Sequence, residues 1–462
     1  MKKLTTNRHG IRAAQHSKPA PPFLVLGLAG LISLTAAAGS SFAADPAYTF
    51  KVVTTIGSPA PGGGAFVSDF EPTGLNNRGQ LAFTAEPDVP GEEAVFLAGG
   101  GTIQQLMRFG QSAPGGGTSS LYEMGNIGLN DSGDAAFAFT LEPFDFSEPL
   151  HGGVYRWSAR NQTLSPVVIP NVTPDPNGGV FVGVDFDAHL NNRGDVAFTG
   201  YVTNTPSGPG QGFFVQSKSG SISTIIRTGD SSPDGGNFTL ASPLVEISMN
   251  DAGNVAFQAN STLDPDVHHS KLYFRRAATG KTQLIPPPTD VVRYGSVVIN
   301  NRDDVVFGGH YLLYGQGGVY LRRGGQTSLI ARVGDSAPGG GTFTFITGAG
   351  FFGHIAMNNI GDIAFEAATT LPDGSIDEAV YYYSGATKVL RRLTGIGTVI
   401  PGYGVVVSLE QVGALVFPGV PVTGVPFSNM ALNDLGQVAF AATVTDGATV
   451  YGALLMGTPQ SF

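Results

Sequence analysis

The sequence has 462 residues, no cysteine, and 35 acidic against 25 basic side chains, which gives a formal net charge of −10. Without cysteine the chain forms no disulfide, has no thiolate zinc site and offers no cysteine nucleophile. An acidic surface repels phosphate backbones, and no basic patch interleaved with aromatic residues is visible, so nucleic acid is a poor candidate partner. A chain of this length must divide into domains or repeat a smaller unit.

The first 44 residues are typical of an export signal. Basic residues precede an apolar run from Phe23 to Ala38, and Ser41-Phe42-Ala43 supplies the small residues of a cleavage site. The apolar run is shorter than the roughly 20 residues of a membrane-spanning helix, and no comparable run follows it. We therefore expect cleavage near Ala43 and a secreted or periplasmic location, with an uncleaved signal anchor as the alternative. The mature chain, residues 45–462, then has a net charge of −15 and no transmembrane anchor, because five basic and no acidic residues are removed.

One motif, Asn-x-x-Gly-x-apolar-Ala-Phe, recurs along the mature chain. Its asparagine can bond to its own backbone, its glycine allows the positive φ of a tight hairpin, and Ala-Phe begins a strand. A degenerate copy from Asn300 to Phe307 has Asp303 in place of the glycine, so we expect strain at Asp303. The six regular copies span residues 76–83, 130–137, 191–198, 250–257, 358–365 and 433–440.

Each repeat carries four strand patterns. Apolar residues alternate before the asparagine, the Ala-Phe strand follows, then an aromatic strand, and usually a fourth strand. Gaps of 50 to 75 residues between the leading asparagines are the period of propeller blades or solenoid units. Four short strands per unit favour a blade. The aromatic strands contain Val95-Phe96, Val154-Tyr155, Phe213-Phe214, Leu272-Tyr273, Val319-Tyr320, Val380-Tyr381 and Val450-Tyr451.

A second motif, Gly-Asp-Ser-Ala-Pro-Gly-Gly-Gly at residues 334–341, recurs in similar form at 57–64, 110–117 and 229–236. It lacks the lysine of a phosphate-binding loop, and proline and glycine interrupt strands, so it is interpreted as a connector between units. The mature chain opens with a fourth-type strand, Phe50 to Ile56, and closes with a third-type strand, Tyr451 to Met456. If the first strand completes the last blade, no sheet edge is left open. The sequence therefore predicts an all-β fold, a seven-bladed β-propeller with four-stranded blades, and an open β-solenoid is the alternative.

On these residues the chain resembles the tandem-repeat family of exported bacterial proteins that is defined by the Asn-x-x-Gly-x-x-Ala-Phe motif. The resemblance covers Phe50 to Met456. It implies export and a repeat fold, and it implies no activity and no catalytic residues. Members of that family end in varied anchors, whereas residues 457–462 show none.

The residues four places before each asparagine are the candidate functional set. In a propeller they lie nearer the face opposite the first hairpin, at the mouth of the central channel, and six of the seven are polar. Converging polar groups suit a sugar, a peptide end or a cation, although channel-lining groups also simply meet water. His189 departs from the other repeats and could reach Asp187, with a structural histidine as the alternative. The candidate ligand-binding residues are Asn126, Asp187, His189, Glu246, Ser296, His354 and Asn429, and Pro72 takes the remaining ring position.

Two further features have two interpretations each. Asp264, Asp266, His268 and His269 could hold a metal or form a solvated loop, and the second interpretation predicts no metal site. The segment from Gly397 to Phe427 is interpreted as an insertion that caps the channel or spaces the last blade.

The sequence favours a monomeric, non-enzymatic binding or scaffold protein whose partner is an extracellular protein or a glycan, with no cofactor. No linear catalytic motif is visible. Sugar-cleaving propellers nevertheless use carboxylates from separate blades, so a carbohydrate-active hydrolase or lyase using Asp187, Glu246 or His354 is the alternative.

Overall fold

Seven antiparallel sheets succeed one another along the described chain, with 32 strands and no helix within the described residues. The computed structural model describes residues 47–89, 93–120, 125–142, 152–205, 208–240, 246–263, 270–289, 291–311, 317–349, 353–409 and 429–460. Each sheet is one blade of a ring, so the prediction of a seven-bladed β-propeller is confirmed.

The first strand of each blade lies at the channel and the last lies at the periphery. Blade 1 contains β2 (Phe66–Leu75), β3 (Leu81–Pro87), β4 (Ala94–Gly99) and β5 (Thr102–Arg108). Blade 2 contains β6 (Thr118–Ser120), β7 (Gly128–Leu129), β8 (Ala135–Glu142), β9 (Gly152–Ser158) and β10 (Thr163–Val168). Blade 3 contains β11 (Phe181–Leu190), β12 (Val196–Thr205), β13 (Gly208–Gln216) and β14 (Ile222–Arg227).

The remaining blades follow the same plan. Blade 4 contains β15 (Ile247–Met249), β16 (Val255–Ala259), β17 (Lys271–Arg276) and β18 (Lys281–Leu284). Blade 5 contains β19 (Arg293–Ile299), β20 (Val305–His310), β21 (Gly317–Arg323) and β22 (Gln326–Arg332). Blade 6 contains β23 (Thr342–Ile346), β24 (Ala356–Met357), β25 (Ile363–Thr370), β26 (Ile376–Tyr383) and β27 (Leu390–Gly395). Blade 7 contains β28 (Val399–Ile400), β29 (Gly404–Ser408), β30 (Ala431–Leu432), β31 (Val438–Thr445), β32 (Val450–Pro459) and the N-terminal strand β1 (Tyr48–Thr55).

Strand β1 closes the ring. It pairs antiparallel with β32, from Tyr48 opposite Pro459 to Thr55 opposite Ala453. The Tyr48 hydroxyl also donates to the Gly436 carbonyl at 2.8 Å. Since β1 pairs with β32, the strand at the end of the fold is not left as an unpaired edge, and β1 takes the outer position of blade 7. The predicted closure by the N-terminal strand is confirmed.

Buried aromatic pairs hold the second and third strands of most blades together. In blade 1, Phe83 lies opposite Phe96 with stacked rings whose centroids are 5.4 Å apart. Such a pair contributes about 0.5–1.5 kcal/mol beyond the burial of its area. Blade 7 differs, because Leu455 lies opposite Phe440 and the predicted aromatic Tyr451 pairs with Val444. The matching stacked pairs are Phe198–Phe214, Phe257–Tyr273, Phe307–Tyr320 and Phe365–Tyr381.

The asparagine of the repeat motif bonds within its own turn and to the next blade. In the first copy, the Asn76 Oδ1 accepts from the backbone N–H groups of Arg78 and Gln80, both at 3.0 Å. Its Nδ2 donates to the Asn130 carbonyl at 2.9 Å. The same link runs from blade to blade and returns from Asn433 to Asn76, which makes a closed circle that we call the asparagine belt. The other links are Asn130 to Asn191, Asn191 to Asn250, Asn250 to Asn300, Asn300 to Asn358, Asn358 to Asn433 and Asn433 to Asn76.

The residues that follow these asparagines form a second circle of hydrogen bonds. The Asn77 backbone N–H donates to the Asp131 Oδ1 at 2.8 Å, and the Asp434 N–H donates to the Asn77 Oδ1 at 2.9 Å. Each side chain in this circle accepts from the backbone of the preceding blade. The motif therefore encodes contacts between blades as well as the hairpin within each blade. The intermediate links join Asp131 to Asn192, Asn192 to Asp251, Asp251 to Asn301, Asn301 to Asn359 and Asn359 to Asp434.

Asp303 takes the left-handed conformation that glycine takes in the other copies. Its φ is 61°, against 70° for Gly79. A side chain in this region costs about 1–2 kcal/mol. The Asp303 Oδ1 accepts from the Asn250 and Asn254 Nδ2 atoms at 2.9 and 2.7 Å, which offsets that cost.

The predicted insertion begins later than Gly397. The Gly397 N–H donates to the Val406 carbonyl, and the Val406 N–H donates back to Thr398. Gly334 and Phe343 make the same reciprocal bonds in the connector before blade 6. Residues 397–404 are therefore another copy of the connector, and 404–408 begin the inner strand of blade 7; residues 410–428 lie outside the described residues.

Candidate functional site

The antiparallel topology gives the ring two distinct faces. The Asn-x-x-Gly turns and the hairpins between third and fourth strands lie on one side, which we call the turn face. The connectors and the loops between second and third strands lie on the other, which we call the loop face. Along an inner strand each residue advances about 3.3 Å. Residues four places before the belt asparagines therefore lie well inside the channel, toward the loop face.

Asn126, Asp187 and His354 meet inside the ring. The Asn126 backbone N–H and Nδ2 both donate to the Asp187 Oδ1, at 2.9 and 3.3 Å. The Asn126 Nδ2 also lies 3.4 Å from the His354 Nδ1. Asn126 belongs to blade 2 and His354 to blade 6, which are not neighbours, so this contact crosses the channel. If Nδ1 accepts this bond, a neutral His354 carries its proton on Nε2.

Glu246 lies within electrostatic range of this group. Its Oε2 accepts from the Val297 N–H at 2.8 Å. Burial raises the pKa of Glu246, the Asp187 carboxylate raises it further, and His354 and the Val297 bond act in the opposite direction. The carboxyl therefore retains a proton to a higher pH than an exposed glutamate does.

His189 belongs to the same group. Burial lowers the pKa of His189, Asp187 opposes that change, and His354 reinforces it. The imidazole therefore loses its proton at a lower pH than an exposed histidine does. Five predicted residues thus come together as two carboxyl groups, two imidazoles and an amide, and we call them the channel cluster: Asn126, Asp187, His189, Glu246 and His354.

Ser296 and Asn429 make structural contacts instead. The Ser296 Oγ accepts from the Ile355 N–H at 3.1 Å, and the Ser296 side chain is almost fully buried. The Asn429 Nδ2 donates to the Glu71 Oε2 at 3.2 Å, which joins blades 7 and 1. Both residues tie neighbouring inner strands together. The structure therefore separates them from the channel cluster, and Pro72 is buried.

A cavity of about 150 Å³ opens at the other end of the channel, on the turn face. Its rim is the second hydrogen-bonded circle, which includes Asp131, Asp251 and Asp434. The amide and carboxyl groups of that rim bond to one another, so their hydrogen-bonding capacity is largely used. Its floor is an apolar collar, contributed by the residue before each belt asparagine: Leu75, Leu129, Leu190, Met249, Ile299, Met357 and Leu432.

Metal binding has no support among the described residues. No group of three or more histidine, cysteine, aspartate or glutamate residues in the part of the chain that the structure describes is placed to hold a metal ion. The candidate cluster of Asp264, Asp266, His268 and His269 lies outside the described residues.

Three features of the structure were not predicted from the sequence. The asparagine belt is visible in the sequence only as an invariant asparagine, which its role within the hairpin also explains. The connector at 397–404 repeats the glycine and proline spacing of 334–341 and could have been found from Gly397, Pro401, Gly402 and Gly404. The contact between blades 2 and 6 had no sequence signal, because it depends on the width of the channel.

Comparisons with solved structures find other propellers at low identity. The chain is similar to oligogalacturonate lyase from Vibrio parahaemolyticus, at 10% identity and a TM-score of 0.49, over 89% of this chain and 97% of that one. It is similar to an oligogalacturonate lyase in complex with manganese, at 11% identity and a TM-score of 0.47, over 88% and 99%. It is also similar to puromycin hydrolase, at 12% identity and a TM-score of 0.49, over 83% of this chain and 51% of that one. At such identities the likeness concerns the fold alone.

No curated protein matches the chain. Within the described residues there is no helix of the length and hydropathy needed to cross a membrane. One family model matches residues 35–452, which include the strands from β1 to the start of β32. The chain belongs to that family, described as a family of unknown function (DUF7453).

Proposed function

We propose that this protein is an exported β-propeller that binds a polar ligand, a glycan or a peptide end, in the loop-face half of its channel. The observation that carries the proposal is the contact between Asn126 and His354 across the ring, with Asp187 bonded to the same amide. Polar groups from non-adjacent blades converge there on one small volume, as they do in ligand sites. The first 44 residues have the pattern of an export signal, which supports export.

The two carboxyl groups of the cluster are only partly used in contacts between blades. Asp187 and Glu246 each accept hydrogen bonds from described residues through one oxygen, Oδ1 and Oε2 respectively. Neither Asp187 Oδ2 nor Glu246 Oε1 bonds to a described residue, and both side chains keep some exposure to solvent. The remaining oxygens are available to accept from hydroxyl or ammonium donors of a ligand.

Binding is tested with the mature chain, residues 45–462, against panels of oligosaccharides and peptides in a calorimeter. The triple variant Asp187→Asn, Glu246→Gln, His354→Gln should lose a ligand that the wild type binds. The matched control is Asp373→Asn, which removes one charge from the exposed turn between β25 and β26 on the loop face. Undiminished binding by the triple variant would place the ligand elsewhere and overturn the proposal.

A second candidate function is acid–base catalysis on a carbohydrate. It is favoured by the opposite pKa shifts of Glu246 and His189 within one channel, since a carboxyl that keeps its proton to a higher pH and an imidazole that loses its proton at a lower pH are suited to act as acid and base. Turnover would show as release of shorter products from a bound polysaccharide. Saturable binding without products supports the binding function alone.

A further inference from the structure

We propose that the ligand group which enters the channel cluster is a primary ammonium, supplied by an amino sugar or by a peptide amine. This inference rests on the proposed function, because it concerns the same site. Its basis is the distribution of charge along the channel, together with the hydrogen-bonding capacity that the cluster has left.

The inner strands carry carboxylates and almost no lysine or arginine. Among the inner-strand residues that the structure describes, the one lysine or arginine is Arg293, at the outer end of β19, where it lies opposite His310. An anionic ligand placed beside Asp187 and Glu246 would therefore meet two carboxyl groups and the imidazoles of His189 and His354, but no lysine or arginine, which is unfavourable in a partly buried site. The described inner-strand ranges without lysine or arginine are 66–75, 118–120, 125–129, 181–190, 246–249, 294–299, 342–349, 353–357, 404–409 and 429–432.

Basic residues elsewhere on the loop face already have partners. Arg108 donates to the carbonyls of Gly62 and Gly63, at 3.0 and 2.8 Å. Lys271 contacts Asp234 at 2.6 Å, and Arg227 contacts Asp175 at 2.8 Å. These side chains are held in the blades and connectors. They are not available to neutralise Asp187 and Glu246 in the channel.

The chemistry of the cluster fits an ammonium group better than a neutral donor. An ammonium has three donors and no acceptor, and the cluster offers the Asp187 Oδ2 and Glu246 Oε1 as acceptors. The His189 imidazole makes no hydrogen bond to a described residue and, when neutral, adds an acceptor nitrogen. Hydrogen bonds between charged groups are about twice as strong as neutral ones, so acetylation of the amine should weaken binding markedly.

The test compares ligands that differ only in the amine. The probes are the hexamer of glucosamine, the hexamer of N-acetylglucosamine, triglycine amide, N-acetyl-triglycine amide, and trigalacturonate. Calorimetry is run on the mature chain at about pH 6, where amines are protonated. We expect an amine-bearing probe to bind at least about tenfold more tightly than its acetylated form, and trigalacturonate not to bind. The glucosamine pair and the triglycine pair show which source the channel accepts.

The variants separate this inference from the proposed function. In the double variant Asp187→Asn, Glu246→Gln the preference for the amine should disappear, whereas Asp373→Asn should retain it. If an acetylated probe or trigalacturonate binds equally well, and the double variant weakens that binding, the channel is a binding site but the ammonium preference is wrong. If no probe binds, or if the double variant binds every probe as the wild type does, both proposals fail.

Discussion

Replacing Asn433 by alanine tests the asparagine belt at the point where the ring closes. Asn433 is 4% exposed; its Oδ1 accepts from the Leu435 and Gln437 N–H groups at 3.1 and 2.9 Å, and its Nδ2 donates to the Asn76 carbonyl at 2.9 Å. Alanine leaves two N–H groups and one carbonyl without these partners. An unpartnered buried group costs about 1–3 kcal/mol. Because water reaches the turn face, we expect a loss near the lower end, about 3–5 kcal/mol in total.

A second substitution divides that loss into its two parts. In Asn433→Asp the side chain keeps an acceptor for the two turn N–H groups but no longer donates to Asn76. The variant loses the bond between blades, and its charge faces a carbonyl oxygen. We expect about half the loss seen for alanine, about 1.5–2.5 kcal/mol.

The assay is urea unfolding of the mature chain followed by circular dichroism, with the midpoint and slope fitted for each variant. The matched control is Asn76→Ala between blades 1 and 2, where the same three kinds of bond join Arg78, Gln80 and Asn130 at 3.0, 3.0 and 2.9 Å. If the belt acts as a circle of equivalent links, the two alanine variants should lose similar stability. A loss below about 1 kcal/mol in both would refute the assignment of stability to the belt.

Three further substitutions have expected outcomes. Asp303→Gly relieves the left-handed conformation of an aspartate but removes the acceptor for Asn250 and Asn254. The free energy of unfolding should therefore fall by about 1–2 kcal/mol, whereas Asp303→Asn should stay near wild type. A glycine variant more stable than wild type would contradict this prediction. Burial raises the pKa of Glu246 above its value in the unfolded chain, so ionising this carboxyl group costs stability as the pH rises above the unfolded-state pKa. Glu246→Gln should therefore melt at a higher temperature than wild type at pH 7, and the difference should vanish below about pH 4. A difference in melting temperature that is constant across pH would refute this cause. Arg227→Ala leaves the buried Asp175 without its ion pair and should lower the free energy of unfolding in urea by about 3–5 kcal/mol. Adding Asp175→Ala should restore part of the lost stability. Equal losses in the single and double variants would show that the two side chains are not coupled.

The fold was predictable because the repeat motif specifies the same local structure in every blade. Asn-x-x-Gly fixes a hairpin, Ala-Phe fixes the strand that follows, and the incomplete first and last repeats indicate how the ring closes. The start of blade 7 was harder. Tyr403 occupies a glycine position of the connector motif, and Asp335 and Ser336 are replaced by Thr398 and Val399, so only the glycine and proline spacing remained as a signal.

The site was predictable in part. Counting four residues back from each asparagine finds one layer of the channel, and five members of the predicted set do converge. Counting does not show which polar side chains use their hydrogen-bonding groups in contacts between inner strands. Asp187 and Glu246 bond to neighbouring blades as Ser296 and Asn429 do, but each of the two carboxyl groups keeps a second oxygen without a bond to a described residue. That difference depends on the spacing of neighbouring strands, which a single repeat does not specify.

The apolar collar beneath the turn-face cavity lies at the end of the channel opposite the loop face. Its seven side chains come from every blade and stand about three residues, or roughly 10 Å, beyond the layer of Asp187. Six of these seven side chains are 9% exposed or less, so the collar is made of packed apolar groups. A polar ligand that enters from the loop face, as we propose, would reach the carboxyl groups of Asp187 and Glu246 before it reaches this collar.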